Sequence, residues 1–243
     1  YTTLFRSEIK PHLKAGKTLC CSHGFAYVFN TIVPPADVDV IMVAPKGPGT
    51  EVRRVFEEGF GCPGLIAVHQ NPSGKARDVA LAMAKAEGLT RGGVLECTMA
   101  QETYEDLFGE QNVLCGGLVD LMKYGFETLT EAGYPPEMAY FECVHEAKLI
   151  VDLIYNGGIQ KMNSVISNTA EFGEYYNGPQ ILPADVKERM KESLKRIESG
   201  KFAKDWLEEA AKGAPNLKAK REALGQHPVE IVGAKIRSLF ERN

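Results

Sequence analysis

Residues 37–49 read DVDVIMVAPKGPG. From Asp37 to Pro45 the run is β-branched and almost continuously apolar, which predicts a parallel strand buried on both faces. Lys46-Gly47-Pro48-Gly49 follows as a turn, and Thr50–Glu58 has helical composition. The same alternation extends in both directions. Thr18–His23 predicts a short strand closed by Gly24, Pro63–Gln70 another buried strand, Ser73–Glu87 an Ala-rich helix, and Gly92–Thr98 a last strand. Glu8–Leu13 has helical composition with a break or first turn at Pro11. Strands alternating with helices predict an open, mostly parallel α/β sheet. Adjacent Cys20 and Cys21 should then point to opposite faces of their strand.

After about residue 99 the strand signals stop. Helices are predicted over Glu102–Tyr124, Pro136–Tyr155, Ile159–Tyr176, Ala184–Glu198 and Gly200–Lys212, and from Pro228 onward. Asn177-Gly178-Pro179 and Gly213-Ala214-Pro215 read as breakers. The fold class is therefore α/β followed by all-α, with a boundary near residues 98–101 separating 1–98 from 99–243. The net charge of −4 removes the general electrostatic case for nucleic-acid binding. Apolar runs are too short to span a bilayer. The cysteines (Cys20, Cys21, Cys62, Cys97, Cys115 and Cys143) lack zinc-site spacing and are too sparse for a disulfide scaffold, which points to reduced thiols in a cytoplasmic compartment. The chain does not begin with Met, and Tyr1–Ser7 reads like a translated library adapter. A fragment is expected, and nothing is drawn from those seven residues.

An open α/β sheet binds ligands at the carboxyl ends of its strands. His23 follows the first strand there, and Lys46 the second. Gly47 and Gly49 would let backbone N–H groups approach an anion at a helix start. Each side chain also has a plain reading, as a satisfied loop histidine and an ordinary loop lysine. No G-x-G-x-x-G occurs anywhere, so if this is half of a dinucleotide fold, the other half lies upstream.

The helical part carries acidic pairs. In PEMAYFECVHEAKLIVDLIY, residues 136–155, Glu142 and Glu146 fall with Met138, Leu149 and Leu153 within roughly 80° of one another on a helix that reads as buried. Stacked like charges on a buried face need partners or a divalent cation. The alternatives are a solvated stripe and a salt bridge to Lys148. Asp106 and Glu110 form a second pair if the helix continues through Gly109, and Gly116-Gly117 would admit a neighbouring helix. Two such pairs make a case for a carboxylate metal site, with Mg²⁺ or Mn²⁺ favoured over zinc. Glu142-x-x-His145 also matches one element of a di-iron bundle, which needs two.

These stretches carry a resemblance. HGF at 23–25, VPPADVDVIMVAPKGPG at 33–49, DLFGEQNVLCGG at 106–117, AGYPPEMAYFECVHEAKLIVDLIY at 132–155, ISNTAEFGEY at 166–175 and GAKIRS at 233–238 closely resemble the shorter, bacterial-type ketol-acid reductoisomerases. The resemblance implies the C-terminal part of an NADP-binding Rossmann-type (doubly wound) domain, lacking roughly the first 80 residues, then a knotted helical domain. It implies an NADPH- and Mg²⁺-dependent enzyme of branched-chain amino-acid biosynthesis. Such an enzyme converts 2-acetolactate or 2-aceto-2-hydroxybutyrate, both 2-hydroxy-3-keto acids, into the 2,3-dihydroxy acid by alkyl migration and then hydride reduction. As a fragment, the chain is expected to be inactive alone.

By the same resemblance Asp106 and Glu110 are ligands of two Mg²⁺ ions, and Glu142 and Glu146 are ligands supplied by the partner of a homodimer or larger homo-oligomer. Ser167 contacts substrate, also from the partner. Glu102 lies near the metals, His23 and Lys46 beside the nicotinamide and metal site, and Gly49 against the cofactor. Departures occur at Cys20-Cys21-Ser22, Thr50 and Tyr104, none of them a proposed ligand. Two other classes stay open: a metal-binding bundle without nicotinamide, and a purely structural or assembly module.

Overall fold

The computed structural model describes residues 4–240. Two compact units divide the chain, Tyr1–Leu107 and Phe108–Asn243. The adapter-like reading of residues 1–7 falls partly outside the described residues. From residue 4 onward the chain is helical, with a wide π turn over Phe5–Ile9 in which Phe5 is buried, then a 3₁₀ turn at Lys10–His12.

The first unit is built on four strands in the order β1-β2-β3-β4: β1 Thr18–Cys21, β2 Asp39–Pro45, β3 Gly64–Gln70 and β4 Val94–Glu96. Helices α1 (Phe25–Val28), α2 (Gly49–Glu57), α3 (Ala76–Ala86), α4 (Leu89–Gly92) and α5 (Met99–Gly109) accompany them. The strand β2 is buried on both faces, as its composition demands. Ile41 and Val43 pack with Ala76, Ala80 and Ala84 of α3. Val40, Met42 and Ala44 pack on the other face with Tyr27 of α1 and Met99 of α5. Cys20 joins the first layer and Cys21 the second, opposite faces as the two-residue period requires.

The pairing of β2 with β3 corrects the mostly parallel expectation. β1 and β2 are parallel, as are β3 and β4, but β2 and β3 run antiparallel, with Pro45 opposite Gly64. The excursion between them starts and ends at one end of the sheet, where the Lys46 N–H donates to the Pro63 carbonyl at 2.8 Å. Helix α2 has nine residues and rises about 14 Å, against about 23 Å for the seven residues of β2, so it does not carry the chain back to the strand's start. The carboxyl ends of β1 and β2 therefore share one end of the sheet. Those of β3 and β4 point the other way.

The second unit is helical: α6 (Gly117–Glu131), α7 (Pro136–Tyr140), α8 (Glu146–Asn163), α9 (Asn168–Ile181), α10 (Ala184–Glu198), α11 (Lys201–Ala211), α12 (Pro215–Gly225) and α13 (Pro228–Ser238). Its core gathers Phe126, Ala139, Tyr140, Val229 and Ile236. Several expectations change here. Asn177-Gly178-Pro179 does not break the chain, because α9 continues to Ile181 and Pro179 sits in its last turn. Gly213-Ala214-Pro215 does act as a breaker, with Gly213 and Ala214 at positive φ and Pro215 opening α12, a helix that composition did not suggest. α8 runs past the expected end at Tyr155, is kinked at Gly158 and ends at Asn163, so the expected segment near Ile159–Tyr176 is divided between α8 and α9.

Two π turns interrupt helices predicted as continuous, Glu110–Leu114 and Phe141–His145. The first explains Gly116. In a π turn the carbonyl of residue i faces residue i+5, and a Cβ on Gly116 would overlap the Gln111 carbonyl oxygen. The glycine makes room for the helix's own backbone, not for a neighbouring helix. Gly116→Ala is therefore expected to destabilise the protein by about 1–3 kcal/mol. Gly173→Ala, in open space within α9, should be neutral or stabilise by up to about 1 kcal/mol. Chemical denaturation of both variants checks this, and equal losses would contradict it.

Candidate active site

Helix α5 begins at Met99, on the sheet face formed by Val40, Met42 and Ala44. Met99, Glu102, Thr103 and Leu107 are its buried residues, a 3–4 spacing that marks one helical face. The loop after β1 lies directly against this face. A Cβ on Gly24 would overlap Met99 Cγ and Thr103 Oγ1. Thr103 Oγ1 is itself satisfied, donating to the Met99 carbonyl at 2.8 Å.

This close approach sets four side chains together. Lys46 Nζ, after β2, donates to Glu102 Oε1 at 2.8 Å and to Asp106 Oδ1 at 3.1 Å. His23 Nδ1, after β1, lies 3.3 Å from Glu102 Oε2 and 3.2 Å from Asp106 Oδ2. Glu102 is only 1% exposed. His23 Nδ1 and Glu102 Oε2 are both buried with no aligned hydrogen bond. The contact between them is an ion pair at 3.3 Å, longer and less directed than the hydrogen bond from Lys46.

The ionisation of the group follows from this geometry. Burial works against the charged form of His23, yet the Asp106 and Glu102 carboxyl groups outweigh it and push the imidazole up to about 9. His23, then Lys46, hold Asp106 down at about 2 against the opposing effect of partial burial. Lys46 loses by burial and gains more from the same two carboxyl groups, so its pKa is raised. Burial, with Cys20 adding to it, pushes the Cys21 thiol up to about 12, which removes it as a nucleophile.

Among the described residues, His23, Glu102 and Asp106 form a group able to hold a metal, with ligand atoms within 4.8 Å of one another. The carboxyl oxygens suit a hard cation. A protonated imidazole is not a ligand, and with Lys46 beside it the cluster's own charges are already matched. Further carboxylates are needed to bring in divalent charge.

The other expected residues lie elsewhere in their elements. Gly49 opens α2 with open space around it. Glu110 begins the first π turn, Glu142 lies in the second, and Glu146 begins α8. Ser167 caps α9, its Oγ accepting from the Ala170 N–H at 3.1 Å. The expected buried face around Glu142 and Glu146 is corrected: both are exposed in this chain, as are Met138 and Leu149 beside them. Among the described residues nothing covers the apolar side chains around them, so composition alone misread their burial. The salt bridge to Lys148 is absent too, since Lys148 pairs with Asp152 at 2.5 Å. His145 stacks on Phe240 at 5.1 Å. Periodicity could not reveal the π turns, and Thr103 carried no signal beyond its place on the buried face of α5.

The paired pKa shifts set a pH window. His23, raised from 6.5, contributes stability fully below about 6.5 and loses it as pH rises through about 9. Asp106, lowered from 3.8, contributes above 3.8 and loses it as pH falls through about 2. In metal-free protein, His23→Gln should therefore lower the melting temperature most near pH 5–6. The difference from wild type should shrink above about pH 9. A pH-independent difference in thermal melts would contradict the pairing.

Comparison with known proteins gives the family. Residues 1–93 match the family model "Acetohydroxy acid isomeroreductase, NADPH-binding domain", and residues 99–242 match "Ketol-acid reductoisomerase, C-terminal domain". The chain is 98% identical over 240 residues to the ketol-acid reductoisomerase (NADP(+)) of Akkermansia muciniphila, covering 99% of this chain and 74% of that protein. It is 66% identical over 237 residues to the ketol-acid reductoisomerase (NAD(+)) of uncultured archaeon GZfos26G2, covering 98% of this chain and 71% of that protein. A solved structure of an NADH-preferring ketol-acid reductoisomerase from an uncultured archaeon superposes with a TM-score of 0.98 at 65% identity, over 99% of this chain and 73% of that one. With both family models matched and a helical unit following the α/β sheet, the chain belongs to the ketol-acid reductoisomerase family.

Proposed function

We propose that this chain, extended by the portion of its relatives that it does not span, acts on 2-acetolactate or 2-aceto-2-hydroxybutyrate with Mg²⁺ and NADPH, at sites shared between two copies of a homodimer or larger assembly. The observation that carries the reading is the buried Glu102 carboxyl group between Lys46 and His23, with Oε1 bonded to Lys46 and Oε2 held by the ion pair to His23. In this reading Asp106 and Glu110 of one copy, with Glu142 and Glu146 of the second, hold two Mg²⁺ ions, and Ser167 of the second contacts substrate. Charge supports it. Next to a cluster whose own charges match, Glu110, Glu142, Glu146 and the substrate's carboxylate balance two divalent cations. Glu110, Glu142 and Glu146 have no side-chain ion pair among the described residues. The helical second unit is proposed to share the family's knot. Six free cysteines fit a reducing cytoplasm, and among the described residues no helix is long and apolar enough to cross a membrane.

When bound, Mg²⁺ supplies Lewis-acid polarisation of the substrate oxygens and NADPH supplies a hydride. The chain's own groups manage protons and charge. Glu102 Oε2 accepts the proton of the C2 hydroxyl. As C2–O becomes a carbonyl, the alkyl group migrates from C2 to C3 with its bonding pair, and the former C3 carbonyl oxygen takes the negative charge. Protonated His23 and Lys46 face that charge, and the proton held on Glu102 returns to it. In the second half, hydride adds to C2, and its oxygen takes a proton that solvent replaces. Gly49, with open space at the start of α2, leaves room for the cofactor.

The assay follows NADPH oxidation by 2-acetolactate. It uses this chain and the chain extended by the portion of the Akkermansia relative that it does not span. The chain alone is expected to be inactive, and the extended chain to turn over only with Mg²⁺. Asp106→Asn or Glu142→Gln should lower kcat by about 100-fold or more. Wild-type turnover by either would remove the metal assignment. The 98% identical relative favours NADPH, while the 66% identical NAD(+) protein supports NADH as a second reading. The ratio of kcat/KM for the two cofactors decides between them. Light scattering should give at least a dimer, given faces such as Tyr155 and Phe172, 78% and 68% exposed. A stable monomer would contradict shared sites.

A further inference from the structure

GAKIRS, residues 233–238, matches the family yet supplies no group to the cluster or to the acidic pairs. We infer that α13 and its continuation to Phe240 form a positioning clamp that sets the π turn carrying Glu142. The inference rests on the reading above, in which Glu142 and Glu146 hold metal.

The need for a clamp comes from the local backbone. α7 has five residues and passes directly into the five-residue π turn, which passes into α8. A π turn is a strained, uncommon register, and its direction depends on outside contacts. Metal ligands tolerate little error, about 0.5 Å and 10–20°.

α13 grips this segment at successive points. Lys235 Nζ donates to Glu137 Oε1 at 2.8 Å on the first turn of α7. Arg237 Nη1 donates to the Tyr140 hydroxyl at 3.0 Å, on the last residue before the π turn, and Glu230 braces the same guanidinium at 3.2 Å. Tyr140 is 5% exposed, its ring lying over Gly233. A Cβ on Gly233 would stand 2.6 Å from Tyr140 Cε2, so any larger residue displaces the ring. At the far end of the π turn, the Phe240 ring stacks on His145 at 5.1 Å and 24°. The contacts fall before, at the start of and at the end of the turn, while Glu142 itself stays exposed. The Gly, Lys and Arg of the GAKIRS motif each have a place in this account.

Arg237 and Tyr140 are thus positioning residues that act on metal affinity through the π turn. The test uses the extended chain, Mn²⁺ binding followed by electron paramagnetic resonance, and the Mg²⁺ concentration at half-maximal activity. Tyr140→Phe and Arg237→Gln should each weaken metal binding by about 10-fold or more. Their double variant should be no weaker than Arg237→Gln alone, since both remove one contact. Arg237→Lys should recover part of the loss. All measurements are made well below each variant's melting temperature. A merely structural role would lower that temperature without moving metal affinity, and that result would overturn the inference. Arg189→Gln, which breaks an exposed pair with Asp185 on α10, should change neither. If Glu142→Gln weakens Mn²⁺ binding but Arg237→Gln and Tyr140→Phe do not, the clamp is wrong and the metal assignment stands. If Glu142→Gln binds Mn²⁺ as wild type does, the metal assignment fails and takes the clamp with it.

Discussion

A carboxyl group that is 1% exposed constrains the whole first unit. Glu102 cannot be removed from water without partners, and breaking a buried ion pair costs about 3–5 kcal/mol. Its partners come from two loops, so both loops must open at one end of the sheet. The parallel pairing of β1 with β2 meets that need, placing His23 and Lys46 side by side. The antiparallel turn into β3 then sends the carboxyl ends of β3 and β4 to the opposite end. α5 must also approach closely, which the contact of Gly24 with Met99 and Thr103 permits. Sheet topology, one glycine and one helical face are consequences of seating a single carboxyl group.

Both acidic pairs lie where a helix changes register. Glu110 starts one π turn and Glu142 lies in the other. A π turn adds a residue to the helical repeat and redirects the side chains after it, at a cost in hydrogen-bond geometry. Such a cost persists only where surrounding structure compensates. Gly116 does this by admitting the Gln111 carbonyl, and α13 by holding Tyr140 and His145.

Much of the first unit was legible in the sequence. The apolar run at 40–44 read as a strand covered on both sides, and His23 and Lys46 follow strand ends where ligands bind. The antiparallel step was not legible, because composition does not encode the direction in which a loop returns. Nor was the depth of Glu102, since a lone Glu on a helix reads as solvated until its neighbours are known. In the second unit the error ran the other way. Around Glu142 and Glu146 the apolar neighbours implied burial, but among the described residues nothing covers them. Pro179 read as a breaker because propensity is local. The helix ends two residues after it, at Ile181.

The exposure of Glu142 and Glu146 is compatible with a metal site and is what a shared one requires. In a lone chain their carboxylates are hydrated, and the apolar residues beside them carry the cost of contact with water. Covering that face removes the apolar cost and creates an electrostatic one, because two carboxylates one turn apart lose their water together. If the second copy covers this face as proposed, a cation must arrive with it. Metal binding and assembly then favour each other by the same free energy, since linkage is reciprocal. On that reading an apolar helix bearing two acids one turn apart is disfavoured when it is covered without metal. On the proposed reading, the acids that composition placed on a buried face are those for which two chains and a cation form the least costly arrangement.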